Sequence, residues 1–460
     1  MDKTDHIHLI GIGGAGLSAI ARVLHESGYA VSGSDRQLSP HAAALRDAGV
    51  RVTIGHAAAN VNGATLVVRS SAIPDTNPEV ETARRKGIPV LKRADFLAGM
   101  MAGKTGIAIA GTHGKTTTTA MTAWMLTRLG QDPSYIVGGT LQNLNANAHA
   151  GAGPHFVIEA DEYDRMFLGL APQIAVITNV EHDHPDCFPT PADFTAAFRA
   201  FTRLLTPEGL LIACGDDPVA RTLAAETRGA RTYGLAPHND LRATNLVAVP
   251  GAGYTFEVER DGQTLAQCAL QVPGQHNVLN ALAVFGIGAA LGLAPADVAA
   301  ALGEFRGTGR RFEVRGEAGG VTIINDYAHH PTEIRATLAA AAARYPNRPL
   351  WVVWQPHTFS RIRALFGEFA AAFAGAAHVI VTDVYAAREM QPADFSLSGL
   401  LATMRHPDAR HIAGLGEASV HLAGSLLPGD ILLVLSAGDA DQISEQVFTA
   451  RKSMEPEGTP

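Results

Sequence analysis

Residues 106–129 leave little freedom to the fold around them. The apolar run Gly106-Ile107-Ala108-Ile109-Ala110 reads as a buried parallel strand. The loop Gly111-Thr112-His113-Gly114-Lys115-Thr116-Thr117-Thr118-Thr119 follows at once, and an Ala/Met/Leu-rich helical pattern runs from Ala120 to Leu129. Strand, glycine loop, Lys-Thr and helix form a phosphate cradle. Backbone N–H groups at the helix N-terminus face an anion, the lysine neutralises phosphate oxygens, and the threonine hydroxyl is placed to hold Mg²⁺. The loop is shorter than the general P-loop pattern, whose first glycine would fall at Ile109. A unit of this kind belongs in a largely parallel sheet covered by helices, and it implies that the protein uses a nucleoside triphosphate.

At 460 residues the chain is too long for one core. Three domains of ~150 residues each are the natural count. Strand candidates alternate with helical patterns nearly throughout, so each domain is expected to be α/β. The first, residues 1–103, opens with His6-Ile7-His8-Leu9-Ile10 and a second glycine loop, Gly11-Ile12-Gly13-Gly14-Ala15-Gly16, and reads as Rossmann-like. The second, residues 104–308, starts with the phosphate loop, has a mainly parallel sheet and closes with Ala-rich helices near 277–292 and 295–305. Arg306-Gly307-Thr308-Gly309 reads as a short, glycine-rich linker. The third, residues 309–452, is again Rossmann-like, and a flexible Pro/Glu/Gly-rich tail is expected over 453–460.

A net charge of −8 argues against a nucleic-acid partner, which needs a basic face. The three cysteines, Cys187, Cys214 and Cys268, are scattered, which fits a reducing compartment and neither a disulfide framework nor a structural zinc site. The N-terminus carries no signal-peptide pattern, and no run approaches the ~20 apolar residues of a membrane span. A cytoplasmic protein with no membrane partner is expected, a monomer or a homodimer.

Polar clusters follow several strand candidates, at the C-terminal ends where open α/β sheets bind ligands. Gly11, Gly13 and Gly16, with Asp35 downstream, have the spacing of a pyrophosphate-binding turn, which suits NAD and a UDP-sugar equally. In Glu159-Ala160-Asp161-Glu162-Tyr163-Asp164, hard carboxylates stand ready for Mg²⁺ beside the triphosphate. Thr178-Asn179-Val180-Glu181-His182-Asp183-His184-Pro185-Asp186 has no third His or Cys to complete a zinc site, and better suits a second Mg²⁺ or groups near a reacting carbonyl. Pro273-Gly274-Gln275-His276-Asn277-Val278-Leu279-Asn280 offers amide and imidazole groups to a flat base, or a simple helix cap. Asn325–Glu333 and Gln355–Arg361 each follow a strand.

Taken in order, these segments resemble the Mur ligases, which build the peptide stem of peptidoglycan. The carriers are GIGGAGLS at 11–18, SGSD at 32–35, SSAIP at 70–74, GTHGKTTTT at 111–119, EADEYD at 159–164, TNVEHDHPD at 178–186, PGQHNVLNA at 273–281, GRRFE at 309–313, INDYAHHPTEI at 324–334, QPHTFSR at 355–361 and YAARE at 385–389. The set is most similar to the alanine-adding type. The resemblance implies a UDP-sugar domain, a central ATPase and a C-terminal amino-acid domain. It implies ATP and Mg²⁺ as cofactors, with UDP-N-acetylmuramate and L-alanine as substrates. An acyl phosphate would form on the lactyl carboxylate and be attacked by the amine.

The resemblance places ATP on Gly111, Thr112, Gly114, Lys115, Thr116, Thr117, His276, Asn280, Arg311 and Asp326. It places Mg²⁺ on Thr116 and Glu159, with His184 on a second ion. The UDP-sugar would meet Gly11, Gly13, Gly14, Gly16, Asp35, Ser70, Ser71 and His113. L-Alanine would meet Tyr327, His357 and Arg361, the arginine pairing with its carboxylate. Lys115, Glu159, His184 and His329 are the expected catalytic residues, with His182 and His329 as alternative bases for the ammonium proton. Leu17, Tyr163, Thr358 and Ser436 depart from the family's frequent residues, and Thr358 stands where a basic residue often occurs. No lysine lies between Lys115 and Lys452, so the carbamylated lysine of later Mur ligases has no counterpart. The competing readings are a ligase that joins a ready-made tripeptide to the same sugar, an NAD-dependent oxidoreductase built on the first loop, and a non-catalytic UDP-sugar-binding relative.

Overall fold

The computed structural model describes residues 3–404 and 406–454. Their strands form three sheets, each the centre of an α/β domain. The first contains β1 (His6–Ile10), β2 (Ala30–Asp35), β3 (Arg51–Ile54), β4 (Leu66–Arg69) and β5 (Val90–Lys92), in the order β3-β2-β1-β4-β5. All its pairings are parallel. The chain reverses direction across the sheet between β1 and β4, which opens a crevice at the C-terminal end of β1, where the Gly11–Gly16 loop lies.

A buried acid steadies that end of the sheet. Glu79 accepts from Ser34 Oγ (2.6 Å), Asn60 Nδ2 (2.6 Å), the Ala57 amide (3.2 Å) and His8 Nε2 (3.3 Å). Burial alone would raise its pKa, but these bonds outweigh it and bring the carboxyl down to about 2.

The second sheet has ten strands: β6 (Thr105–Ala110), β7 (Ser134–Leu141), β8 (Ala146–His149), β9 (His155–Glu159), β10 (Ile174–Ile177), β11 (Leu210–Cys214), β12 (Arg231–Gly234), β13 (Leu241–Ala248), β14 (Tyr254–Arg260) and β15 (Gln263–Ala269). Their order is β15-β14-β13-β12-β11-β10-β6-β9-β7-β8. The parallel core, β6 flanked by β9 and β10, is made of apolar runs buried on both faces. The outer strands β13 to β15 form an antiparallel ribbon whose outward residues are exposed. They escape a sequence reading because they are half-polar and do not alternate with helices.

The third sheet runs β16-β17-β21-β18-β19-β20, from β16 (Glu313–Ala318), β17 (Val321–Asp326), β18 (Leu350–Trp354), β19 (His378–Val381), β20 (Ala409–His411) and β21 (Ile431–Leu435). Only β16 is antiparallel to its neighbour.

The expected linker at 306–309 is not a free tether. Gly309 N donates to Thr140 O at 2.8 Å and Gln142 N to Gly307 O at 3.0 Å, so the segment lies along the end of β7. Thr308 is fully buried there. The glycines supply close backbone packing rather than slack. Most of the expected tail, 455–460, lies outside the described residues. No described helix is long and apolar enough to cross a membrane.

Candidate active site

The phosphate loop connects β6 to the helix Lys115–Arg128. Gly114 caps this helix at φ 83°, a left-handed conformation that favours glycine. A Cβ there would also press on Asn280 Oδ1 at 2.5 Å. Thr112 and His113 are tied to the neighbouring strand end, Thr112 N to Asn179 O (3.0 Å) and His113 N to Asn179 Oδ1 (2.9 Å). The loop therefore has its shape before any anion arrives.

Lys115 Nζ donates to the carbonyls of Gly111 (2.5 Å) and Thr112 (3.1 Å) and pairs with Glu162 at 2.8 Å. Burial disfavours its charge, but Glu162 and Asp161 more than compensate and raise its pKa. Burial pushes Glu162 the other way, up to about 7, against the pull of Lys115. Thr116 Oγ1 donates to Glu159 Oε1 at 3.0 Å, and Glu159 Oε2 accepts from Gly138 N at 2.7 Å. Burial raises the pKa of Glu159 as well.

Three acids thus stand around one lysine, with a hydroxyl and a carboxylate converging at a helix N-terminus. This all-oxygen donor set, short of positive charge, fits Mg²⁺. His184 stands beside it, 3.7 Å from both Glu162 and Asp183, with a left-handed backbone (φ 54°).

A cavity of about 520 Å³ opens over the loop. His113, Gly114, Thr116, Thr117, His276 and Asn280 line it from the central domain, and Arg311, Asp326 and Glu333 from the linker and third domain. Asp326 accepts from the amides of Phe312 (2.8 Å) and Ala328 (2.7 Å), and burial, opposed by Arg311, brings its carboxyl up to about 6. His276 is kept neutral by burial, its pKa down to about 4.

His113 departs from the expected arrangement. Instead of joining the first-domain glycine loop, it lines this cavity and bridges Glu181 (2.8 Å) and Glu333 (3.1 Å). Burial opposes its charge, yet the two carboxylates hold its pKa up at about 9. Thr332 Oγ1 adds a bond to Glu181 at 2.8 Å. Central and third domains meet through this cluster.

Arg361 also departs from expectation. Its Nε and Nη2 donate to Asp183 at 3.0 and 3.3 Å, and Nη1 faces His357 Nδ1 at 3.0 Å. Both members of this interdomain pair are 5% exposed. The guanidinium expected to hold a substrate carboxylate is occupied by one from the protein itself.

The aromatic rings of Tyr327, His329, His357 and Tyr385 follow one another with centroids 5.4, 5.9 and 5.7 Å apart. His329 Nδ1 faces Tyr327 O at 2.9 Å, and burial brings its pKa down to about 3, so the ring is neutral near pH 7. His182, the other expected base, is turned to Phe188 O (2.8 Å) and packs edge-on against Phe194.

In the first domain, Asp35 closes the glycine loop by accepting from Gly13 N at 2.9 Å, and Ser39 Oγ donates to Gly13 O at 2.8 Å. Ser70 N donates to Ile10 O, which brings the 70–74 turn beside the loop. The guanidinium of Arg93 fills the space over Gly16 and reaches Asp161 of the central acidic run at 3.6 Å.

Glu162, Glu181, Asp183, Arg93 and Glu333 were not singled out as site residues from sequence, although the first three lie in runs read as candidate Mg²⁺ or carbonyl groups. All but Arg93 lie inside the quoted motifs, and the missing signal was their pairing with bases in other motifs.

Three family models match the chain: "Mur ligase family, catalytic domain" over residues 6–105, "Mur ligase middle domain" over 109–288, and "Mur ligase, glutamate ligase domain" over 310–438. A protein of Nitratidesulfovibrio vulgaris named UDP-N-acetylmuramate–L-alanine ligase is 44% identical over 449 residues, covering 97% of this chain and 98% of that one. One of the same name from Roseiflexus sp. is 45% identical over 463 residues, covering 96% and 98%. Among solved structures, the UDP-N-acetylmuramate–alanine ligase MurC of Thermotoga maritima superimposes with a TM-score of 0.84 at 31% identity, over 98% of this chain and all of that one. A murein peptide ligase from Psychrobacter arcticus gives 0.71 at 25% identity, over 99% and 100%.

Proposed function

The chain belongs to the Mur ligase family, and from that premise we propose that it joins L-alanine to the lactyl carboxylate of UDP-N-acetylmuramate at the expense of ATP. The observation that carries this reading is the cavity over the phosphate loop, lined by Gly114, Thr116 and Thr117 on one side and by Arg311, Asp326 and Glu333 on the other. It is supported by near full-length relatives that bear the alanine-ligase name.

A carboxylate is a poor electrophile. Transfer of the γ-phosphoryl group to the lactyl oxygen gives an acyl phosphate with phosphate as leaving group. The neutral amine of alanine then attacks the carbonyl carbon, and the tetrahedral intermediate collapses to amide and phosphate. Positioning and charge stabilisation supply most of the catalysis.

Lys115, drawn from Glu162, neutralises the transferring phosphoryl group. Thr116 and Glu159 would hold Mg²⁺, with His184 beside a second ion, and such an ion would supply charge neutralisation at the phosphates. The adenine lies near His276 and Asn280, with Arg311 and Asp326 closing from the third domain. The Gly11–Gly16 loop, with Ser70 and Ser71, receives the UDP-sugar diphosphate, and His329 Nε2, on a neutral ring, accepts the ammonium proton. His113 serves as an interdomain bridge between Glu181 and Glu333.

The test is ATP-dependent phosphate release with UDP-N-acetylmuramate and either L-alanine or the stem tripeptide. Release with alanine is expected. Release with tripeptide alone would move the assignment to a recycling ligase, and no release with either would return the first loop to a redox reading. Lys115→Ala is expected to abolish release while UDP-sugar binding, read by calorimetry, persists.

A further inference from the structure

The run 178–186 carries no zinc ligand set of its own, but folding brings its Glu181 between histidines of two other motifs. His113 comes from the phosphate loop of the central domain. His330 comes from the third domain, where it caps the helix Pro331–Arg344. One ligand atom from each of His113, Glu181 and His330 lies within 4.8 Å of the other two. None of the three belongs to the set Thr116, Glu159 and His184 beside the phosphate loop.

The separations suit one small cation. His113 Nε2 stands 2.8 Å and His330 Nδ1 3.8 Å from the same oxygen, Glu181 Oε2. Two ligand atoms on a tetrahedral ion with bonds near 2 Å are about 3.3 Å apart, between these two values. The neighbours already orient each ligand. Glu333 accepts from His113 Nδ1 at 3.1 Å, which turns Nε2 towards Glu181, and a carboxylate behind a histidine is the usual second layer of a metal site. Thr332 Oγ1 donates to Glu181 Oε1 at 2.8 Å, which leaves Oε2 for the ion.

His330 has bonding capacity to spare. It is 2% exposed, its Nδ1 accepts the Thr332 amide only at 3.3 Å, and its Nε2 has no hydrogen-bond partner among the described residues. A buried imidazole so poorly partnered is costly to the fold unless something else binds it. Two imidazoles and one carboxylate are a poor set for Mg²⁺, which favours oxygen and keeps its water, and a good one for Zn²⁺. His113 and Glu181 also line the cavity over the phosphate loop, which leaves a fourth position to water or to a ligand held there.

We propose that His113, Glu181 and His330 form a Zn²⁺ site that bolts the central domain to the third. The ion takes the place of the proton that His113 Nε2 shares with Glu181, and that proton leaves to solvent. With the ion bound, the cleft cannot open without losing a ligand, so Zn²⁺ slows turnover. The site itself does not depend on the ligase reading.

The test titrates EDTA-treated protein with ZnCl₂ in excess MgCl₂ by calorimetry. One site is expected, with release of about one proton read from the heat in buffers of different ionisation enthalpy. Co²⁺ as a probe should give the d–d bands of a low-coordinate nitrogen–oxygen site and no thiolate charge-transfer band. His330→Asn keeps an acceptor at the helix cap and removes the imidazole. It and Glu181→Gln should each weaken Zn²⁺ at least ~10-fold, since loss of even an outer partner costs that much. Zn²⁺ should raise the unfolding temperature of the wild type and not that of His330→Asn. Equal Zn²⁺ affinity in the wild type and His330→Asn overturns the proposal, and so does a thiolate band. Zn²⁺ binding that leaves ATP-dependent phosphate release unslowed overturns the bolt. If the wild type releases no phosphate with L-alanine, the ligase reading falls, and the calorimetry and the Co²⁺ spectrum still decide the site.

Discussion

His113 shows how far a residue's surroundings can move its role. An imidazole between Glu181 and Glu333 is a cation near neutral pH, its pKa up from 6.5 to about 9. A raised folded-state value stabilises the protein fully below pH 6.5, and the contribution is lost as pH rises through 9. Thermal unfolding of the wild type and His113→Gln should differ by on the order of 3 kcal/mol at pH 6, and the gap should close by pH 10. A pH-independent gap would mean that the bridge carries no proton.

Residues of the site were legible from sequence where one local pattern holds them. Lys115 and Thr116 follow a strand within one loop, and Glu159 ends the strand beside β6. Asp183 and Arg361 were not legible as a pair, because 178 residues and a domain boundary separate them. The resemblance gave Arg361 a substrate carboxylate as partner, and it could not show that Asp183 also lies within reach of the guanidinium.

At the scale of elements, apolar strands in strand–helix alternation were readable, and the polar antiparallel additions were not. β13 to β15 bury one face at a sheet edge and show the other to water, so their pattern lacks the continuous apolar run of β6 or β10. Contacts between elements were equally hidden. The helix Arg93–Met101 of the first domain lies so close to the short helix Tyr163–Gly169 that a Cβ on Gly169 would overlap the Ala94 carbonyl. Only a bare backbone fits there. Gly169→Ala is expected to cost about 1–3 kcal/mol in denaturant unfolding, as overpacked sites do, and to speed proteolysis between the first two domains. Unchanged unfolding and cleavage would show that this joint gives way without cost.

For the whole molecule, the three-sheet α/β organisation followed from chain length and the two glycine loops. The way the domains are fastened did not, because it depends on side chains that meet only after each domain has folded. The two joints are built differently. The first domain meets the central one through a shared apolar core, Phe96, Leu97 and Met101 with Phe156 and Phe167, rimmed by half-exposed charges: His149 between Glu26 and Asp132, and Arg93 with Asp161. The third meets it through Asp183 and Arg361, both shut away from solvent.

Dissolved salt should therefore act selectively on the charged rim of the first joint. At 1 M KCl the screening length shrinks to ~3 Å, which dissolves contacts made in water and leaves dehydrated ones nearly untouched. Hydrogen exchange should quicken around Glu26 and 149–152 while 181–183 and 359–362 keep their protection. Ionic strength would then loosen the charged rim of the first joint while the apolar core beneath it and the Asp183–Arg361 pair stay closed.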